Sequence, residues 1–110
     1  MIEEGYTKLC MTQELREGKG KRIYIEEHPL AVFLVNGSVF VTDNICPHQQ
    51  SNILHEGFLE QGQVICPAHG WSFSLETGNQ PDGRRGITSY PVIVREGVVY
   101  IKFTPKRFSW

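Results

Sequence analysis

The 110 residues carry 11 Lys and Arg against 12 Asp and Glu, a formal net charge of −1. This leaves no electrostatic footprint for nucleic acid or an anionic membrane surface. Leu, Ile, Val and Phe supply 31 residues, which excludes a disordered chain, and two alanines against 24 Val, Ile and Thr argue against a helical bundle. No apolar run approaches the ~20 residues of a membrane span. The acidic start Met1-Ile2-Glu3-Glu4-Gly5 lacks the apolar stretch of a secretory signal, so a cytoplasmic location is expected. One all-β domain rich in turns is the class these features predict.

In chain order, residues 6 to 11 read as a short strand and 12 to 18 as a turn closed by Gly18. Residues 21 to 26 alternate, with Ile23 and Ile25 on one face and Tyr24 on the other, and Pro29 is expected to end this strand. Residues 30 to 35 and 38 to 42 are β-rich and flank Asn36-Gly37, a dipeptide that suits a type I′ hairpin turn. From 43 to 73 the alternation stops. Only Val64-Ile65 and Trp71-Ser72-Phe73 look like strand fragments there, and 75 to 86 reads as a loop. Regular pattern resumes at 87 to 95, turns at Glu96-Gly97 and returns over 98 to 103, with Val99, Ile101 and Phe103 on one face. The end of the chain, from Pro105 to Trp110, is basic and aromatic.

The irregular stretch holds two matching boxes, Cys46-Pro47-His48 and Cys66-Pro67-Ala68-His69, separated by the seventeen residues 49 to 65. Each offers one thiolate and one imidazole from a loop stiffened by proline. An odd count of three cysteines is a poor start for a disulfide framework, and a Cys46–Cys66 disulfide would leave both histidines unexplained. Zinc could use the same four side chains, although zinc modules usually pair Cys with Cys and His with His. A two-iron, two-sulfur cluster with two Cys on one iron and two His on the other uses all four as they stand.

The C-x-H and C-x-x-H boxes at this spacing resemble the ligand signature of the Rieske family. His69-Gly70-Trp71-Ser72-Phe73, Thr77-Gly78 and Tyr90-Pro91-Val92 extend the resemblance to low-potential Rieske ferredoxins and to the Rieske domains of ring-hydroxylating oxygenases. It covers residues 30 to 103 well and the first 25 loosely. Members often carry glycine two residues after the first ligand histidine, where this chain has Gln50. The resemblance implies that Cys46 and Cys66 hold the inner iron and His48 and His69 the outer one. It also implies an antiparallel β-sandwich or barrel base (about 1–42 and 81–110) with an inserted two-loop cluster-binding subdomain (about 43–80), together one Rieske domain over 1–110.

With two neutral imidazoles, two thiolates, two sulfides and two ferric ions, the formal charge of such a cluster is about zero, against about −2 for an all-cysteine one. The neutral centre accepts an electron more readily. Reduction should raise the pKa of the outer histidines, so the potential is expected to fall with pH in the alkaline range. High-potential relatives carry an extra cysteine in each loop, where this chain has Ser51 and Ala68, and hydroxyl donors where it has Trp71 and Phe73. Fewer hydrogen bonds to sulfur predict a potential on the order of −150 mV.

The expected function is a Rieske ferredoxin that passes single electrons from a flavin-dependent NAD(P)H reductase to a terminal oxygenase. It would be an electron-transfer component rather than an enzyme, and a monomer in isolation. No Gly-rich dinucleotide fingerprint is present for direct hydride transfer. The alternative is a Rieske-type small subunit of an assimilatory nitrite reductase, and a zinc-stabilised interaction module is a third reading. Cys10 is expected to be a buried apolar residue and His28 and His55 solvated loop residues, while Trp71 and Phe73 suit core under the second loop. Glu56 and Glu60, with no Lys or Arg between 49 and 65, form a mildly acidic rim.

Overall fold

The computed structural model describes residues 5–47, 50–68, 70–81, 83 and 86–103. His48, His69 and the basic tail lie outside the described residues. The strands are β1 (Tyr6–Met11), β2 (Gly20–Ile25), β3 (His28–Val35), β4 (Ser38–Asp43), β5 (Ile45–Cys46), β6 (Ser51–Asn52), β7 (Phe58–Glu60), β8 (Gln63–Ile65), β9 (Ser72–Ser74), β10 (Ser89–Tyr90), β11 (Val92–Arg95) and β12 (Val98–Lys102). Single 3-10 turns occupy Thr12–Glu14 and Leu54–Glu56. The ladders are antiparallel and make four open sheets, ordered β1-β12-β11, β10-β4-β3-β2, β5-β6 and β7-β8-β9. The base is therefore two packed sheets and not a closed barrel.

Strand β3 organises the molecule. Its residues Leu30, Ala31, Val32 and Phe33 are fully buried, because both faces of this central strand are covered. Leu30 and Val32 face a basal core with Val41, Val99, Ile101, Cys10 and Leu15. Ala31 and Phe33, pointing the other way, face a second core with Leu54, Val64, Phe73, Leu75, Cys46 and Cys66. One strand thus ties the basal sheets to the irregular module, and each large side chain it buries contributes about 1.5–3 kcal/mol.

Asn36 and Gly37 take φ of 51° and 80° between the paired Val35 and Ser38, as a type I′ turn requires. Glu96-Gly97 between β11 and β12 does the same, and so does Gln61-Gly62 between β7 and β8. Three expectations are corrected. Strand β2 ends at Ile25 through a two-residue turn at Glu26-Glu27, both at positive φ, and Pro29 lies within β3 opposite Tyr24. Residues 87 to 95 do not form one strand: β10 pairs with β4, β11 pairs with β12, and Pro91, which has no N–H to donate, marks the crossing between sheets. His28 is not in a turn. It opens β3, and its Nε2 lies 2.8 Å from Asp43 Oδ1, to which the Tyr90 hydroxyl also donates at 2.5 Å. Burial, then the bond to Asp43, raises the Tyr90 pKa.

Candidate metal centre

Both cysteine boxes sit at the mouths of hairpins. Cys46 closes β5 opposite Ser51, the first residue of β6. Cys66 follows β8, whose last residue Ile65 pairs with Ser72 of β9. The second loop is pinned by Cys66 N–H donating to Trp71 O (2.7 Å) and Gly70 N–H donating to Cys66 O (3.0 Å). A left-handed residue turns each loop back: Gln50 at φ 53° and Gly70 at φ 76°.

Cys46 and Cys66 are each 1% exposed and belong to one hydrophobic core, bounded by Leu54, Val64, Phe73 and Leu75 and flanked by Trp71. No disulfide joins the three cysteines. Two buried thiols from two loop mouths are a soft donor pair suited to iron, and the apolar wall around them excludes water. Among the described residues no three His, Cys, Asp or Glu side chains converge as a metal site. His48 and His69, which would complete the set, follow the two cysteines by two and three residues. Phe73 is fully buried, as expected of core beneath the second loop. Cys10 lies in the basal core, where burial pushes its thiol up to about 11, so it is inert near neutral pH.

Gln50 occupies a backbone conformation that glycine adopts without cost, at the position where glycine is common in the resembling family. Gln50→Gly is expected to stabilise the protein by up to about 1 kcal/mol, the left-handed strain less the extra entropy of the unfolded glycine. Chemical denaturation of the two proteins measures the difference.

His55 is not a solvated loop residue. Its side chain is 17% exposed, its ring Nδ1 lies 3.0 Å from Asn44 Nδ2, and its Nε2 lies 3.5 Å from Glu56 Oε2. Burial holds its pKa below the ordinary histidine value, with the Glu56 carboxylate opposing and Arg22 assisting. The unfolded chain binds a proton near pH 6.5 and the folded one only at lower pH. Stability from neutral His55 is thus full above about pH 6.5 and lost as pH falls through the folded pKa. His55→Gln should remove this part of the acid sensitivity, read from denaturation midpoints between pH 5 and 7. Sequence reasoning missed His55 and its partner Asn44, since nothing local distinguishes a buried hydrogen-bonded asparagine from a turn residue. The rim carboxylate of Glu56 is 66% exposed, and Phe58 beside it is 67% exposed.

No helix among the described residues is long and apolar enough to cross a membrane. A family model described as the Rieske [2Fe-2S] domain matches residues 5–91. The ferredoxin component of a p-cumate 2,3-dioxygenase system from Pseudomonas putida is 32% identical over 84% of this chain and 81% of its own length. The solved Sphingomonas yanoikuyae B1 ferredoxin is 35% identical, with a TM-score of 0.79 over 89% of this chain and 98% of that one. A ferredoxin solved in complex with the oxygenase of carbazole 1,9a-dioxygenase is 28% identical, with a TM-score of 0.76 over 90% and 94% of the two chains. A protein assigned as the NADH-dependent nitrite reductase small subunit of Mycobacterium tuberculosis shares the fold at 25% identity, with a TM-score of 0.79 over 87% and 92%. Buried paired thiols on two hairpin loops agree with these likenesses: the chain belongs to the Rieske [2Fe-2S] domain family, and its cofactor is a Rieske-type two-iron, two-sulfur cluster.

Proposed function

We propose that the protein is a Rieske ferredoxin, with Cys46 and Cys66 on the inner iron and His48 and His69 on the outer. The observation that carries this reading is the pair of buried thiols at two loop mouths within one apolar core. When bound, the cluster supplies a one-electron couple. The chain's own part is to hold the thiolates, cover them with Leu54, Val64, Phe73 and Leu75, and leave the loop tips for a partner. Residues 1–42 and 81–110 serve as the base and 43–80 as the cluster-binding subdomain.

The donor is a flavin-dependent NAD(P)H reductase and the acceptor a terminal oxygenase, with the protein acting in the cytoplasm and monomeric in isolation. The ferredoxin-component relatives and the solved ferredoxin–oxygenase complex support this assignment. A fixed role as a nitrite reductase small subunit is the second reading. The shared fold favours it, but at lower sequence identity than the ferredoxins have.

Electron paramagnetic resonance on the dithionite-reduced protein, with iron and labile-sulfide counts, tests the assignment. Two irons and two sulfides per chain, one unpaired electron on reduction and a midpoint on the order of −150 mV are expected. A colourless protein holding one zinc, or a clearly positive midpoint, would overturn it.

A further inference from the structure

Outside the ligand boxes, one buried polar side chain bonds to several of the segments that frame the first loop. Asn44 is fully buried and stands two residues before Cys46. Its backbone N–H donates to Pro29 O at 3.2 Å, and its carbonyl accepts from Leu54 N–H at 3.0 Å. Its side-chain Oδ1 accepts from His55 N–H at 2.6 Å. The amide Nδ2 donates to Asn52 Oδ1 and lies 3.0 Å from His55 Nδ1. Asn52 Nδ2 in turn donates to the Tyr24 hydroxyl at 3.1 Å. A buried asparagine left partly unsatisfied would be costly, so a fully used one fixes the geometry of everything it touches.

What it touches is the frame of the first ligand loop. Asn44 enters the β5 arm, Asn52 ends the β6 arm, and Leu54 and His55 begin the 3-10 turn whose Leu54 shares a core with Cys46 and Cys66. Pro29 anchors the same residue to the base. Aspartate could keep the Oδ1 acceptor but would lose both amide donors, and an aliphatic residue would lose all side-chain contacts.

We propose that Asn44 is a positioning residue for the cluster, a clamp that holds the two arms of the 46–50 loop and the Leu54–Glu56 turn in register so that the first ligand pair is presented in place. The proposal rests on the assignment of Cys46 and His48 as ligands. Asn44 touches no reacting atom and acts through the loop.

The test compares the holoprotein with Asn44→Ala, Asn44→Asp and, as a control in the basal core, Val99→Ala. Asn44→Ala is expected to release its cluster to a chelator about 10- to 100-fold faster than the parent and to broaden the resonance spectrum of the reduced state. Asn44→Asp should recover part of the retention, through the acceptor it keeps for His55 N–H. Val99→Ala should lower the thermal midpoint with the spectrum unchanged. A parental spectrum and release rate in Asn44→Ala would overturn the proposal, as would equally fast release from Val99→Ala. Should Asn44→Ala fail to fold, Asn52→Ala removes the contact with Asn44 Nδ2 together with the bond to the Tyr24 hydroxyl while leaving the other Asn44 bonds in place, and parental behaviour there overturns the clamp equally. Amide exchange at Leu54 and His55 reads the clamp without any metal: protection in the parent and its loss in Asn44→Ala are expected, and unchanged protection refutes it. A parent lacking two irons and two sulfides would refute the ligand assignment, while the exchange result still decides the clamp.

Discussion

Replacing His69 by cysteine is expected to lower the midpoint potential by about 100 mV, and replacing His48 as well to bring it towards the roughly −400 mV of all-cysteine clusters. The cause is charge. Each exchange of a neutral imidazole for a thiolate adds one negative charge beside the irons, and an electron enters an anionic centre less readily than a neutral one. The apolar wall of Leu54, Val64, Phe73 and Leu75 strengthens the effect, because a low local dielectric screens the added charge poorly. His28→Cys is the control. That histidine is held by Asp43 and Tyr90 at the start of β3, and its loss should leave the potential where it was. Redox titration monitored by absorbance separates the outcomes. An unchanged midpoint in His69→Cys would show that the outer iron takes its nitrogen ligand elsewhere.

The parts of this molecule that were legible from its residues are those governed by local rules. Asn36-Gly37 announces its hairpin because both positions tolerate positive φ, and the alternation of Val99, Ile101 and Phe103 announces a one-sided strand. The cysteine boxes stand out because their spacing serves little purpose other than ligation. Illegible features depend on distant partners. Glu26-Glu27 carries no turn signal, and the turn forms because Ile25 and His28 are held in register by the remaining β2–β3 pairs. The break at Pro91 follows from which sheet each half joins, which no local pattern encodes. His28, His55 and Asn44 read as ordinary polar residues, since their side-chain hydrogen-bond partners lie 8 to 62 positions away.

A second large effect is expected at Gly78, in the segment that reads simply as a loop. Ser74 N–H donates to Asn79 O at 2.8 Å, and Gly78 N–H to Ser74 O at 2.8 Å, which coils this arm tightly. Ile87 N–H then donates to Gly78 O at 2.7 Å, drawing the far arm against it. Gly78 has a φ of 81°, and a Cβ there would overlap the carbonyl oxygen of Ile87. Gly86 faces the same approach from the other side, where a Cβ would overlap Gly78 O. Alanine at 78 therefore meets two penalties at once: left-handed strain of about 1–2 kcal/mol, and a backbone collision that cannot be relieved by rotating a side chain, typically about 1–3 kcal/mol more. The expected loss is about 2–5 kcal/mol in total. Leu75, fully buried beside Cys46 and Cys66, lies at the root of this loop, so displacement of the arm should also loosen the wall around the thiols. Gly78→Ala should accordingly unfold at markedly lower denaturant and lose iron on mild heating before the basal sheets melt. Gly83, where a Cβ would meet none of the described residues within 4 Å, isolates the second penalty. Its φ of 84° imposes the strain alone, so Gly83→Ala should cost only about 1–2 kcal/mol. Equal losses in the two variants would mean that the contact with Ile87 is not what makes Gly78 necessary.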